Sequence, residues 1–211
     1  KTITVNGILD IDANAILKFQ NQGSVCNLMV DNATSPEKAV LRVVGNSMSE
    51  LATITYQTTR GQLITVDNGT VEAKYYLIEY LANAGINITQ NATLHTVNNF
   101  SYGTFSNINN TAGACYLNLD AGTYTGGPIV DVAFNITTSP VSGVYNVKRQ
   151  TASPNITFDG IISGNLAGYK YEKDELTDNP AIVDDATRGK LQWPGVTETV
   201  WTGGINSDWD N

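Results

Sequence analysis

The chain has 211 residues, 20 acidic against 12 basic side chains and a formal net charge of −8, with only 15% of its residues charged. The basic residues stand singly and form no stripe that could neutralise phosphates, which excludes a nucleic-acid partner. No apolar run reaches the roughly 20 residues of a membrane-spanning helix, and the length suits one principal domain.

From the N-terminus the chain reads as short strands. Apolar residues alternate with polar ones and each run ends on Asp, Asn, Gln or Gly: LDIDAN from Leu9, LMVDN from Leu28, LRVVGN from Leu41, LITVDNG from Leu63, INITQN from Ile86 and YLNLDAG from Tyr116. Period-2 alternation marks a strand with one buried face. Taking Ile11, Val30, Val43, Val66, Ile88 and Leu119 as equivalent positions, the run recurs at steps of 13 to 31 residues. Such recurrence is the signature of a solenoid in which inward Leu, Ile and Val stack on their counterparts and Asn, Gly and Asp turn the chain.

Second strands follow the first: ATITYQ from Ala52, AKYYLIEYL from Ala73, NFSYGTF from Asn99 and PIVDVAF from Pro128, then VYNVKRQ from Val144, NITFDG from Asn155 and GKLQW from Gly189. The segment from Tyr169 to Lys190, with Glu172, Asp174, Glu175, Asp178, Asp184 and Asp185, reads as a solvated excursion. These runs predict an all-β, right-handed parallel β-helix over residues 1–192. Residues 193–211, with Trp201 and Trp209, read as a linker and the start of a following module. The alternative is a pilin-like β-sandwich completed by a donated strand, with KTITVNG at the N-terminus as donor.

Three stretches carry a resemblance: AKYYLIEYLANAGINITQNATLHTVNNFSYGTFSNINNTAGACYLNL, NVKRQTASPNITFDGIISGNLAGYKYEKDE and VWTGGINSDWDN. Residues 60–211 resemble the β-helical repeat regions of large secreted and cell-surface proteins of Bacteroidota, many of them cargo of the type IX secretion system. The resemblance implies an extracellular location and, as partners, other domains of one large protein or surface assembly. The C-terminal sorting domain of such cargo is not among these residues, which agrees with a segment of a longer protein.

The function expected is non-enzymatic: a structural or adhesive domain acting as a rigid spacer or ligand-presenting scaffold. His95 is the single histidine and no G-x-S-x-G elbow occurs, so no catalytic residue, cofactor site or metal site is assigned. Asp10, Asp12, Asp31, Asp67 and Asp120 end repeat strands; they are turn formers first, and a structural calcium is the one ion their stacking would suit. Tyr75, Tyr76, Tyr80 and Tyr102 are candidate carbohydrate contacts, which opens a second reading, a carbohydrate-binding or polysaccharide-processing β-helix. A third is a glycosylated pilin-like subunit. Cys26 and Cys115 are either one disulfide or two small core residues. Asn32, Asn68, Asn87, Asn91, Asn99, Asn109, Asn135 and Asn155 open Asn-x-Ser/Thr triplets and are candidate glycosylation sites.

Overall fold

The computed structural model describes residues 1–20, 25–34, 37–57, 61–150, 154–174 and 189–194. Within them the chain is all-β, with one 3₁₀ turn at Tyr169–Tyr171. The first sheet holds β1 (Thr2–Val5), β4 (Cys26–Asp31), β7 (Gln62–Asp67), β10 (Leu81–Ile88), β13 (Cys115–Leu119) and β16 (Tyr145–Lys148), in that order. The second holds β2 (Ile8–Asp12), β5 (Ala39–Val44), β8 (Gly69–Lys74) and β11 (Thr93–Ser101). The third holds β3 (Ile16–Phe19), β6 (Ala52–Tyr56), β9 (Tyr76–Glu79), β12 (Gly103–Ser106) and β15 (Val132–Asn135). A shorter sheet joins β14 (Ile129–Val130), β17 (Ile156–Asp159) and β18 (Leu191–Gln192).

Every pairing between these strands is parallel, and in the three large sheets each strand pairs with the one three places along the chain. A Greek-key sandwich is made of antiparallel neighbours, so the pilin-like alternative does not fit. Its proposed donor strand, β1, pairs with β4 of its own chain.

Along β4 to β9 every second residue is buried in one core, whereas β1 at the end of the first sheet leaves Ile3 exposed. On the first sheet Val5, Val30, Val66, Ile88 and Leu119 lie in register, beside Ile3, Leu28, Ile64, Ile86, Leu117 and Val147. Four of the six positions read as equivalent therefore share a column. Ile11 and Val43 do not: they pair with each other, and Val43 with Ala73, on the second sheet. On the third sheet Leu17, Ile54, Ile78, Phe105 and Phe134 continue the pattern, with Phe105 and Phe134 stacked at 5.4 Å.

The corners between strands can be a single residue. Asn68 (φ 44), Tyr75 (φ 51) and Tyr80 (φ 56) alone join β7, β8, β9 and β10, and Tyr102 (φ 58) and Asp131 (φ 55) turn later strands in the same way. A left-handed residue reverses the local curl of an extended chain, so one such residue redirects it into the next sheet; without glycine the conformation costs about 1–2 kcal/mol per site.

Two segments differ from the sequence reading. Glu172 and Asp174, expected in solvent, are buried: Glu172 Oε2 accepts the indole N–H of Trp193 (2.5 Å), and Asp174 Oδ2 accepts the backbone N–H groups of Lys190 (2.7 Å) and Leu191 (3.1 Å). Trp193, expected in the linker, is buried against Phe158 with ring centroids 4.3 Å apart, so the packed core extends to it. Glu175, Asp178, Asp184, Asp185, Trp201 and Trp209 lie outside the described residues.

Candidate functional site

On the outer face of the first sheet the residues between the core columns form their own register: Thr4, Met29, Thr65, Asn87, Asn118 and Lys148. Where this column crosses β10, β13 and β16, two depressions of about 390 and 310 Å³ adjoin, sharing Asn87 and Gln150. Their rim is made by an irregularity. The register of β10 on β7 shifts between Leu81 and Ile86, and the extra residues push Asn83 and Ala84 out into solvent. Gly85 closes the bulge at φ 57, and a Cβ there would overlap the backbone carbonyl oxygens of Cys115 and Tyr116. Asn109 Nδ2 donates to Asn83 Oδ1 (2.9 Å) and holds the rim in place.

The groove is lined by amides. Asn118 Nδ2 donates to Asn87 Oδ1 (2.6 Å), and among the described residues no partner takes up Asn87 Nδ2 or Asn118 Oδ1. The Lys148 ammonium donates to the Gly113 carbonyl (2.6 Å) and sits 4.9 Å from the Tyr145 ring centroid, the Lys190 ammonium donates to the Gln150 carbonyl (2.7 Å), and Asp120 Oδ1 accepts the Gln150 backbone N–H (2.6 Å). Cys115 lies on the floor. Burial pushes its thiol up to about 12 against the opposing pull of Lys148, so it stays protonated at neutral pH and offers no thiolate nucleophile.

The two cysteines are both free and buried. They sit on β4 and β13, three strand spacings apart in one sheet, roughly 14 Å. A disulfide needs Cα atoms within about 7 Å, so the bridge is excluded and the core reading of Cys26 and Cys115 stands.

Of the four tyrosines, the fold brings two together. Tyr75 and Tyr102, successive left-handed corners, stack at 5.2 Å with 28° between ring planes, and Lys74 Nζ lies 5.3 and 5.4 Å from their centroids. Tyr76 points the other way: it is fully buried, crosses over Gly103, donates its hydroxyl to the Phe100 carbonyl (3.0 Å) and, through that burial, holds its proton well above the usual tyrosine range. Tyr80 packs half-buried against the core at the next corner. Tyr76 is thereby removed as a carbohydrate contact.

The glycosylation triplets divide by exposure. Asn91, Asn135 and Asn155 are exposed, although Asn91 Nδ2 donates to Asp67. Asn32, Asn68 and Asn109 are half-buried with Nδ2 engaged by Asn6 and Glu37 carbonyls, by Asp31 and by Asn83 respectively; Asn87 is half-buried in the groove. Asn99 is buried, its Nδ2 donating to Tyr124 Oη (2.7 Å) and to the carbonyls of Gly127 and Pro128, so it cannot receive a glycan in the folded chain.

The strand-end carboxylates serve the backbone and each other. Asp67 Oδ1 accepts from Thr89, Asn91 and its neighbour Asn68 N–H, and Asp31 Oδ1 accepts Asn68 Nδ2. Asp10 and Asp12 hold the Arg42 guanidinium at 2.6 and 2.5 Å; Asp12 first and Asp10 second raise its pKa. Among the described residues no three His, Cys, Asp or Glu side chains gather to hold a metal ion. His95 Nδ1 accepts the N–H groups of Val97 (3.2 Å) and Asn98 (3.0 Å), a turn-capping role.

No family model, no curated protein and no solved structure matches the chain.

No motif in the sequence marks the groove, since Asn87 also opens an Asn-x-Thr triplet. The available signal was positional: Asn87 and Asn118 occupy the same outward place in INI and LNL.

Proposed function

We propose that the chain is a segment of a right-handed parallel β-helix that works as a non-enzymatic, rigid spacer or ligand-presenting scaffold in an extracellular surface protein. One observation carries the reading: every third strand joins the same sheet, in parallel, so the chain advances one strand spacing each time it passes through the three sheets. A chain wound in this way makes its stiffness from ladders along the axis, and inward columns of Val, Ile, Leu and Phe lock neighbouring levels together. Other domains of the same protein or surface assembly are its partners, as the resemblance to Bacteroidota repeat regions implies.

Spin labels at Thr4 and Lys148, the ends of the outer column of the first sheet, test it. Five strand spacings separate them, about 24 Å before the label arms are added. A narrow distance distribution near that value is expected from double electron–electron resonance. A broad distribution would refute a rigid scaffold, and a narrow one at a much longer distance would refute the β-helix.

A second reading, carbohydrate binding, is favoured by the Tyr75–Tyr102 stack, whose half-exposed rings and adjacent ammonium are the kind of surface on which sugar rings pack.

A further inference from the structure

We propose that the amide-lined groove across β10, β13 and β16 binds a neutral oligosaccharide. The inference rests on the carbohydrate reading, and moves the site from the tyrosine corner to the outer face of the first sheet.

Three observations lead to it. The groove is built: a bulge in β10, closed at Gly85 where no other residue fits without displacing β13, raises the rim at Asn83 and Ala84. Its unoccupied amides are neutral. Among the described residues no hydrogen bond occupies Asn87 Nδ2, Asn118 Oδ1 or the side-chain amides of Gln90 and Gln150, whereas Lys148 and Asp120 already have partners. Each sugar hydroxyl both donates and accepts, and a carboxamide offers one donor side and one acceptor side at matching separation, so neighbouring amides suit a run of vicinal hydroxyls. Third, Asn87 and Asn118 are spaced along the axis by one strand repeat, roughly 5 Å, and Gln150 follows the end of β16, the next strand, which gives an extended site for a short linear segment. An apolar ligand would bury these amides without partners.

The test uses the intact chain and neutral hexasaccharides of β-1,4-linked glucose, xylose or mannose, with a galacturonate hexamer as the acidic counterpart. Nitrogen–proton correlation spectra read the Asn and Gln side-chain amides directly. Binding of a neutral hexamer should shift the Asn87, Asn118 and Gln150 amide signals, and Asn118→Ala and Gln150→Ala should each weaken it about tenfold, the loss of one hydrogen bond. Unchanged backbone spectra verify that the variants fold; if one does not, the shifts in the wild-type chain decide. Binding that shifts only signals near Tyr75 and Tyr102, and survives both substitutions, would overturn the groove and leave the carbohydrate reading intact. No binding of any hexamer would overturn both. Preference for the galacturonate hexamer would overturn the neutral ligand.

Discussion

Gly85 and Gly113 both adopt left-handed backbone, at φ 57 and 88, but only one of them is crowded. A Cβ at Gly113 would meet nothing within 4 Å, whereas a Cβ at Gly85 would overlap the carbonyls of Cys115 and Tyr116 on the next strand. Substituting alanine separates two costs. Gly113→Ala should lose only the conformational term, about 1–2 kcal/mol. Gly85→Ala carries the same term and must also push β13 away from the bulge, a displacement of packed backbone worth about 1–3 kcal/mol more, for a total of about 2–5 kcal/mol. Urea unfolding of the two variants, followed by circular dichroism, measures the difference as a shift in midpoint at constant slope. Equal losses in both variants would refute the reasoning, because the bulge would then have room for a side chain and the groove rim would not be fixed by close approach.

Stability should fall in alkali. The Cys115 thiol, at an ordinary 9.0 when unfolded, is held near 12 by burial in the folded chain, so above pH 9 the unfolded state loses a proton that the folded state keeps. Its contribution is complete below pH 9 and declines by about 1.4 kcal/mol per pH unit towards pH 12; buried Tyr76 and Tyr116, raised by the same cause, steepen the fall above pH 10. Urea midpoints from pH 7 to 11 should drop, and drop less in Cys115→Ala; a flat profile would show the thiol to be solvated. Thiol counting with a chromogenic disulfide at pH 8 should find no reactive group in the native chain and two after denaturation. None after denaturation would mean that the cysteines are bonded.

Strand positions were legible because alternation is a local property, visible in LMVDN, LITVDNG and YLNLDAG without any knowledge of neighbours. Sheet membership was not. Ile11 and Val43 look just like Val30 and Val66, since an inward residue has the same pattern in every sheet, and only the count of corners between strands tells them apart. Those corners were hidden. AKYYLIEYL reads as one long strand, yet it contains the end of β8, the corner Tyr75, all of β9, the corner Tyr80 and the start of β10. No glycine, asparagine or proline marks either turn. Glu172 and Asp174 were misread for another reason: the groups that receive them, Trp193, Lys190 and Leu191, lie 16 to 21 residues further on. The amide groove depends on register between three strands, so it could be seen only once Asn87, Asn118 and Lys148 were aligned.

The advance of one strand spacing per passage also sets the entropy of assembly. Residues paired across the large sheets are separated by 19 residues at the shortest, Gln62 with Leu81, and by 37 at the longest, Ile16 with Thr53. Closing a loop twice as long costs only about 0.6 kcal/mol more, so the unequal excursions between strands are nearly free, and that is why the repeat can be so irregular. The closure cost also does not accumulate with length. Each passage docks on the one before it, as in other arrays that contact only their neighbours, and a nascent chain can bury each strand as it emerges instead of waiting for a distant partner.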